Sequence, residues 1–254
     1  MAIEKRDVIA GRPLRGVPSL AAPSRPAAPG PRTPTRRPPP VAGPPTLRLV
    51  VWPALLTLGV TALRLVGELR GWSPATFSRL PGGGLSPLGI SWLPPLVGAW
   101  FGWKLARAGL APPRPVRAFG VPTAALVLGF LLGTLVERWM KLSVESTLVL
   151  WAAVALVVAA AAFAAWPRLG RPLLAYAYAA RLPVALVMAL ALWRAWGTHY
   201  DARTPGFPLT PPLQLWLWTG LLPQATVWVA WTVALGALGG AAGALLARWP
   251  RRPR

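Results

Sequence analysis

The feature that most constrains this chain is one kind of segment repeated: runs of about 20 apolar residues, almost free of charge, recurring between residues 49 and 247. A bilayer core about 30 Å thick is crossed by about 20 residues of α-helix, because lipid offers the backbone no hydrogen-bond partner. In that unit the sequence divides into about six spans, near 49–68, 87–105, 119–136, 147–166, 173–193 and 224–247. The stretch 213–247 is too long for one straight span. Pro223 divides it, leaving 213–222, with Trp216 and Trp218, as a segment suited to the membrane interface. The expected fold is all-α: a polytopic transmembrane helix bundle over residues 47–249.

Composition agrees with lipid as the solvent. Charged residues make up 13% of the chain and mean hydropathy is +0.48, whereas soluble domains carry about 25% charged residues. A net charge of +21 would ordinarily suggest nucleic acid. That function needs basic residues on a folded, water-exposed face, and here they fall in a tail and in short loops, so no nucleic-acid partner is expected. The absence of cysteine excludes disulfides, thiolate metal sites, Fe–S clusters and Cys nucleophiles. No cofactor or metal motif is present.

Residues 1–46 hold 12 prolines and a scatter of arginines. Such a Pro/Arg-rich stretch buries too little apolar area to offset its ordering entropy, so a disordered tail is expected. It does not read as a secretory signal, because its first apolar run begins near Leu49. Its charge could draw it to anionic lipid headgroups. Lys and Arg from the tail through Arg48, in the second and fourth connections and from Arg248 to the C-terminus number nineteen, against six in the other connections. The positive-inside rule then puts both termini in the cytoplasm. Arg far outnumbers Lys, a bias that goes with GC-rich bacterial genomes, so a bacterial cytoplasmic (inner) membrane is the expected location. Tryptophans near the span ends, among them Trp52, Trp103, Trp139, Trp166 and Trp193, suit headgroup anchors.

Helices in lipid associate through close packing at small residues. Gly98 with Gly102, Gly129 with Gly133, Gly236 with Gly240 and Gly239 with Gly243 each share a helix face at four-residue spacing. They suit packing within the bundle, or contact with a second subunit in a homo- or hetero-oligomer. The last span carries two overlapping pairs, which marks it as a central helix or a subunit contact.

Few polar residues remain to be explained. No span interior holds a carboxylate, which argues against proton- or sodium-coupled transport. Arg64 precedes Glu68 by one helical turn; the two are candidate ligand-binding residues, although snorkelling to the headgroups with Glu68 as partner accounts for both. Arg181 falls near the middle of the fifth span. The same segment holds Tyr176, Tyr178 and Pro183; with Tyr178, and a carbonyl freed by Pro183, Arg181 could form a site for an anion or a lipid headgroup, or simply reach the inner interface. Pro94, Pro95 and Pro223 are expected to bend or break their helices. His199, Tyr200 and Asp201 are adjacent in one outer loop, and with Glu68, Glu137 and Glu145 could form a proton-transfer or metal site. The bland reading is a turn in which Asp201 pairs with Arg203 or Arg194. Three classes stay open: a non-enzymatic membrane component or complex subunit; a transporter or binding protein for a small anion or lipid built on Arg181; and a membrane enzyme acting through His199 and Asp201.

Overall fold

The structure is a computed structural model that describes residues 43–80, 89–203, 207 and 211–248. The disorder expected of the tail up to residue 42, the basic end 250–254 and the first two residues of the second span fall outside the described residues, while the last residue of the tail, Thr46, begins a helix.

All described secondary structure is helical. In chain order the elements are α1 (Thr46–Leu69), a 3₁₀ turn (Ile90–Trp92), α2 (Leu93–Arg107), α3 (Pro115–Met140), α4 (Val144–Ala165), α5 (Pro167–Arg194), α6 (Pro212–Leu215), a π-helical turn (Trp216–Leu221), α7 (Leu222–Ala225) and α8 (Val227–Ala247). Five stretches are long and apolar enough to cross a membrane: α1, α3, α4, α5 and the run Pro212–Ala247. Their outer faces carry Leu55, Leu63, Leu128, Phe130, Leu131, Leu186 and Leu190, all more than two-fifths exposed. Soluble monomers rarely expose contiguous apolar patches beyond a few hundred Å². The chain is a multi-pass membrane protein.

The second span is shorter than the sequence suggests. Pro94 and Pro95 do not bend a helix; they sit in the first turn of α2, where no intrahelical N–H is needed, and so start it. The 15 residues of α2 rise about 22 Å, and the 3₁₀ turn adds about 6 Å. Pro223 does not mark the division of the last apolar stretch either. Its missing N–H leaves the Thr219 carbonyl without its helical donor, and the ladder widens there into the π turn. The break comes at Thr226, whose φ of −122° and ψ of −74° leave the helical region.

The bundle centres on α8. Gly98 of α2 faces the Gly236 backbone and Gly102 the Gly240 backbone, so closely that a Cβ at either position would collide with a carbonyl. In return Gly239 meets the Pro95 carbonyl and Gly243 that of Ala99. Both numberings rise together along this seam, so α2 and α8 run parallel. Leu173 and Leu169 of α5 close over Gly236 and Gly240. Gly129 and Gly133 of α3 instead receive Val158, Val154 and Trp151 of α4. Trp166 is no headgroup anchor: at 3% exposure it lies in the core with Leu169, Phe101 and Leu105, its indole N–H unpartnered.

The helix directions sort charge between the two ends of the bundle. Gly43 packs on Leu110, and Arg248 reaches the Pro112 carbonyl at 3.5 Å, which gathers the start of α1, the end of α2, the start of α3 and the end of α8 at one end. Among the described residues that end carries Arg48, Lys104, Arg107, Arg114, Arg117, Arg168, Arg171 and Arg248, with no carboxylate. Glu68, Glu137, Glu145 and Asp201 all lie at the other end.

Candidate functional site

Two buried polar clusters interrupt the apolar interior, each built on an arginine. The first joins the end of α1 to the loop after α5. That helix stops in two left-handed residues, Ala195 at φ 49° and Gly197 at φ 65°, which turn the chain back over α1. Asp201 fixes the turn: its carboxylate accepts from the backbone N–H groups of Gly197 (2.8 Å) and Thr198 (2.7 Å) and from the Thr198 hydroxyl (2.7 Å). Its partners are thus its own loop, not Arg203 or Arg194, because the carboxylate sits where the turn's free N–H groups converge.

The turn delivers His199 to Glu68. The Glu68 side chain is fully buried. It accepts from Arg64 Nε at 2.8 Å and from the His199 backbone N–H at 2.9 Å. His199 Nδ1 lies 2.6 Å from Glu68 Oε1, within ion-pair range although not aligned as a hydrogen bond. Arg64 also donates to the Ser78 carbonyl at 3.0 Å, and Arg79 donates to the Glu68 carbonyl. Arg64 is therefore not snorkelling: at 6% exposure it is enclosed, because the segment after α1 folds back over it. Tyr200 stacks on His199 with ring centroids 3.8 Å apart and donates to the Thr61 carbonyl at 3.3 Å. Burial holds the His199 imidazole below its ordinary range, against the pull of the Glu68 carboxylate. Burial likewise pushes the Tyr200 phenol up. Glu137 does not join this cluster; it accepts from Trp151 Nε1 at 2.9 Å between α3 and α4, and Glu145 sits in the first turn of α4. Among the described residues no three His, Asp or Glu gather as metal ligands do.

The second cluster lies at mid-helix. Arg181 stands fourteen residues into the 28 of α5, about 21 Å from the helix start, and is 4% exposed. Its Nε and Nη2 point to Thr232 Oγ1 of α8 at 3.4 and 3.5 Å, and its guanidinium lies 4.9 Å from the Trp228 ring centroid. Thr232 meanwhile donates its own proton to the Trp228 carbonyl at 2.8 Å. The carbonyl freed by Pro183 is not a partner of Arg181. Tyr178 is 38% exposed on the outer side of α5. The buried phenol is that of Tyr176, in electrostatic range of Arg181 and 2.9 Å from the Thr57 hydroxyl of α1. No carboxylate among the described residues pairs with Arg181. Two long bonds to one hydroxyl and one ring face are what five N–H donors receive.

Along α7 and α8, Gln224, Trp228 and Thr232 recur every four residues and face α5. Gln224 reaches Met188 Sδ at 3.7 Å and leaves its amide oxygen unpartnered. Of this set the sequence marks Arg181, with Tyr176 in the same span, and Thr57 and Thr232 as polar residues of other spans; it does not mark Trp228 or show that these residues converge. The signal available was the four-residue spacing of polar residues within apolar helices.

No known protein family, curated protein or solved structure matches the chain.

Proposed function

We propose that this protein is a non-enzymatic membrane component whose bundle binds an anionic group, a phosphate or carboxylate, at Arg181 between α5 and α8. The observation that carries the reading is a buried guanidinium with no carboxylate partner among the described residues. A buried, unpaired ion costs several kcal/mol even after relaxation, and an ionised acceptor would supply the charge-assisted bonds that Thr232 cannot. The side-chain amide of Gln224, two turns from Thr232 and held only by a long contact to Met188 Sδ, puts a further polar group on the same face. At the other cluster both carboxylates are already engaged: Asp201 holds its turn, and Glu68 holds Arg64 and the His199 backbone, which favours a structural role there over catalysis.

The same reading puts both termini on the cytoplasmic side of a bacterial inner membrane. Eight cations without a carboxylate among the described residues at one end of the bundle support that orientation under the positive-inside rule.

The test is a thermal melt of the full chain in nanodiscs of phosphatidylcholine, with inorganic phosphate and a soluble short-chain phosphatidic acid added separately. One or both should raise the midpoint, by about 2.7 kcal/mol of stabilisation at 100 times the Kd, and Arg181→Gln should abolish the rise. A response to phosphate alone indicates a free solute; a response to the phosphatidic acid alone indicates a lipid headgroup. An equal rise in Arg181→Gln, or none with either probe, contradicts the proposal.

A further inference from the structure

An apolar groove of about 520 Å³ opens on the outer face between α1 and the start of α2, within the size range of small-ligand sites. Trp52 and Leu56 line it from α1; Trp92, Leu96 and Trp100 line it from the 3₁₀ turn and α2. Val97 and Pro53, both buried, form its floor. The two helices that bound it barely touch, because α2 gives its glycine face to α8 and α1 packs on α5 through Thr57 and Tyr176. Trp52 is 72% and Leu96 59% exposed, so whatever solvates the bundle fills the groove.

Charge at one end of the groove distinguishes what fits it. Arg48 precedes Trp52 by one turn on α1, and Lys104 follows Trp100 by one turn on α2, so each continues the groove-lining stripe of its helix. Both are exposed, and both lie at the same end of the bundle, where the start of α1 meets the end of α2. Lys104 Nζ stands 6.0 Å from the Trp100 ring and 5.4 Å from the Trp103 ring. A slot lined by indole and leucine that ends in two cations at helix-terminus depth matches an acyl chain leading to a phosphate. A second copy of the chain lacks that complement: among the described residues every carboxylate lies at the opposite end of the bundle.

We infer that the α1–α2 groove is a site for one anionic phospholipid, with an acyl chain against Trp52, Leu96 and Trp100 and its headgroup phosphate between Arg48 and Lys104. This site is separate from Arg181 and does not depend on it.

The test is native mass spectrometry of the full chain released from mixed micelles carrying phosphatidylglycerol or phosphatidylcholine. The wild type should retain one phosphatidylglycerol in preference to phosphatidylcholine, by roughly 30-fold if each cation contributes as basic residues at a charged membrane surface do. The double variant Arg48→Gln, Lys104→Gln should lose that preference, whereas Arg114→Gln, Arg117→Gln, which removes two cations at the same end, should keep it. Leu96→Trp, which fills the groove, should lose the bound lipid of either kind. Equal loss of preference in both double variants would reduce the effect to general attraction and overturn the site. A dimer that excludes lipid in the wild type and dissociates in Leu96→Trp would give the groove to a second copy and overturn it equally.

Discussion

Arg64 and Arg181 are buried to nearly the same degree, 6% and 4% exposed, yet their surroundings differ in kind. Arg64 has a carboxylate one turn away at 2.8 Å and a backbone carbonyl at 3.0 Å. Arg181 has one hydroxyl at 3.4 and 3.5 Å and the face of an indole. Burial alone therefore does not tell what an intramembrane arginine is for. The first has its countercharge supplied by its own helix, in Glu68, whose second oxygen accepts from the His199 backbone and ties α1 to the loop after α5. The second has no countercharge within the chain's described residues, and it is this lack that the proposed anion would make good.

The largest effect expected from this contrast follows Glu68→Ala. It removes the carboxylate that balances the buried Arg64 charge and should destabilise the bundle by about 3–5 kcal/mol in denaturant unfolding from mild detergent. Replacing the pair together, Arg64→Met with Glu68→Leu, should recover most of that loss, since a buried ion pair exchanged for apolar side chains is often neutral. Failure of the paired replacement to recover stability would show that His199 and Ser78 depend on the charges themselves.

A smaller loss is expected from Trp228→Leu. The ring face is the main favourable contact of the Arg181 guanidinium, and a desolvated cation–π contact is worth about 2 kcal/mol. Addition of the anion should shrink the deficit, because the guanidinium then has a stronger partner. A deficit that is the same with and without anion would detach Trp228 from the site.

The smallest effect is on pH. Burial lowers the His199 pKa below its ordinary 6.5, so the unfolded chain takes up a proton more readily than the folded one as pH falls. Stability should be fully present above about 6.5 and decline as pH falls through that value towards the folded pKa. The groups facing the imidazole are Glu68 and Arg64 from α1 and Tyr200 and Asp201 from its own loop. His199→Gln should flatten the melting midpoint between pH 7 and pH 5; a wild type already flat there would show that Glu68 offsets the burial.

What the sequence made legible divides along physical lines. Hydropathy locates helices because lipid contact depends on composition summed over 20 residues or so, and α1, α3, α4 and α5 follow it closely. Prolines were harder to place. The consequence of Pro94 and Pro95 depends on whether a helix begins before or at them, and that of Pro223 on where the widened ladder finally breaks, at Thr226. The Arg64–Glu68 pair was readable because both residues share one helix at fixed spacing. Its burial was not, because Ser78, Arg79 and His199 arrive from elsewhere in the chain. The choice between Tyr176 and Tyr178 turned on which face of α5 meets α1, and the approach of Trp228 and Thr232 to Arg181 was invisible until α8 was set beside α5. Contacts between helices carry that information, and a single sequence does not display them.

The contrast between the two arginines is tested most directly by the unfolding stability of Arg181→Met beside that of Glu68→Ala, both in neutral lipid without added anion. The account predicts that Arg181→Met is at least as stable as the wild type, because an uncompensated buried charge has been replaced by an apolar side chain of similar length. A loss of several kcal/mol, comparable to that of Glu68→Ala, would mean that Arg181 is already satisfied by the bundle and would contradict the account.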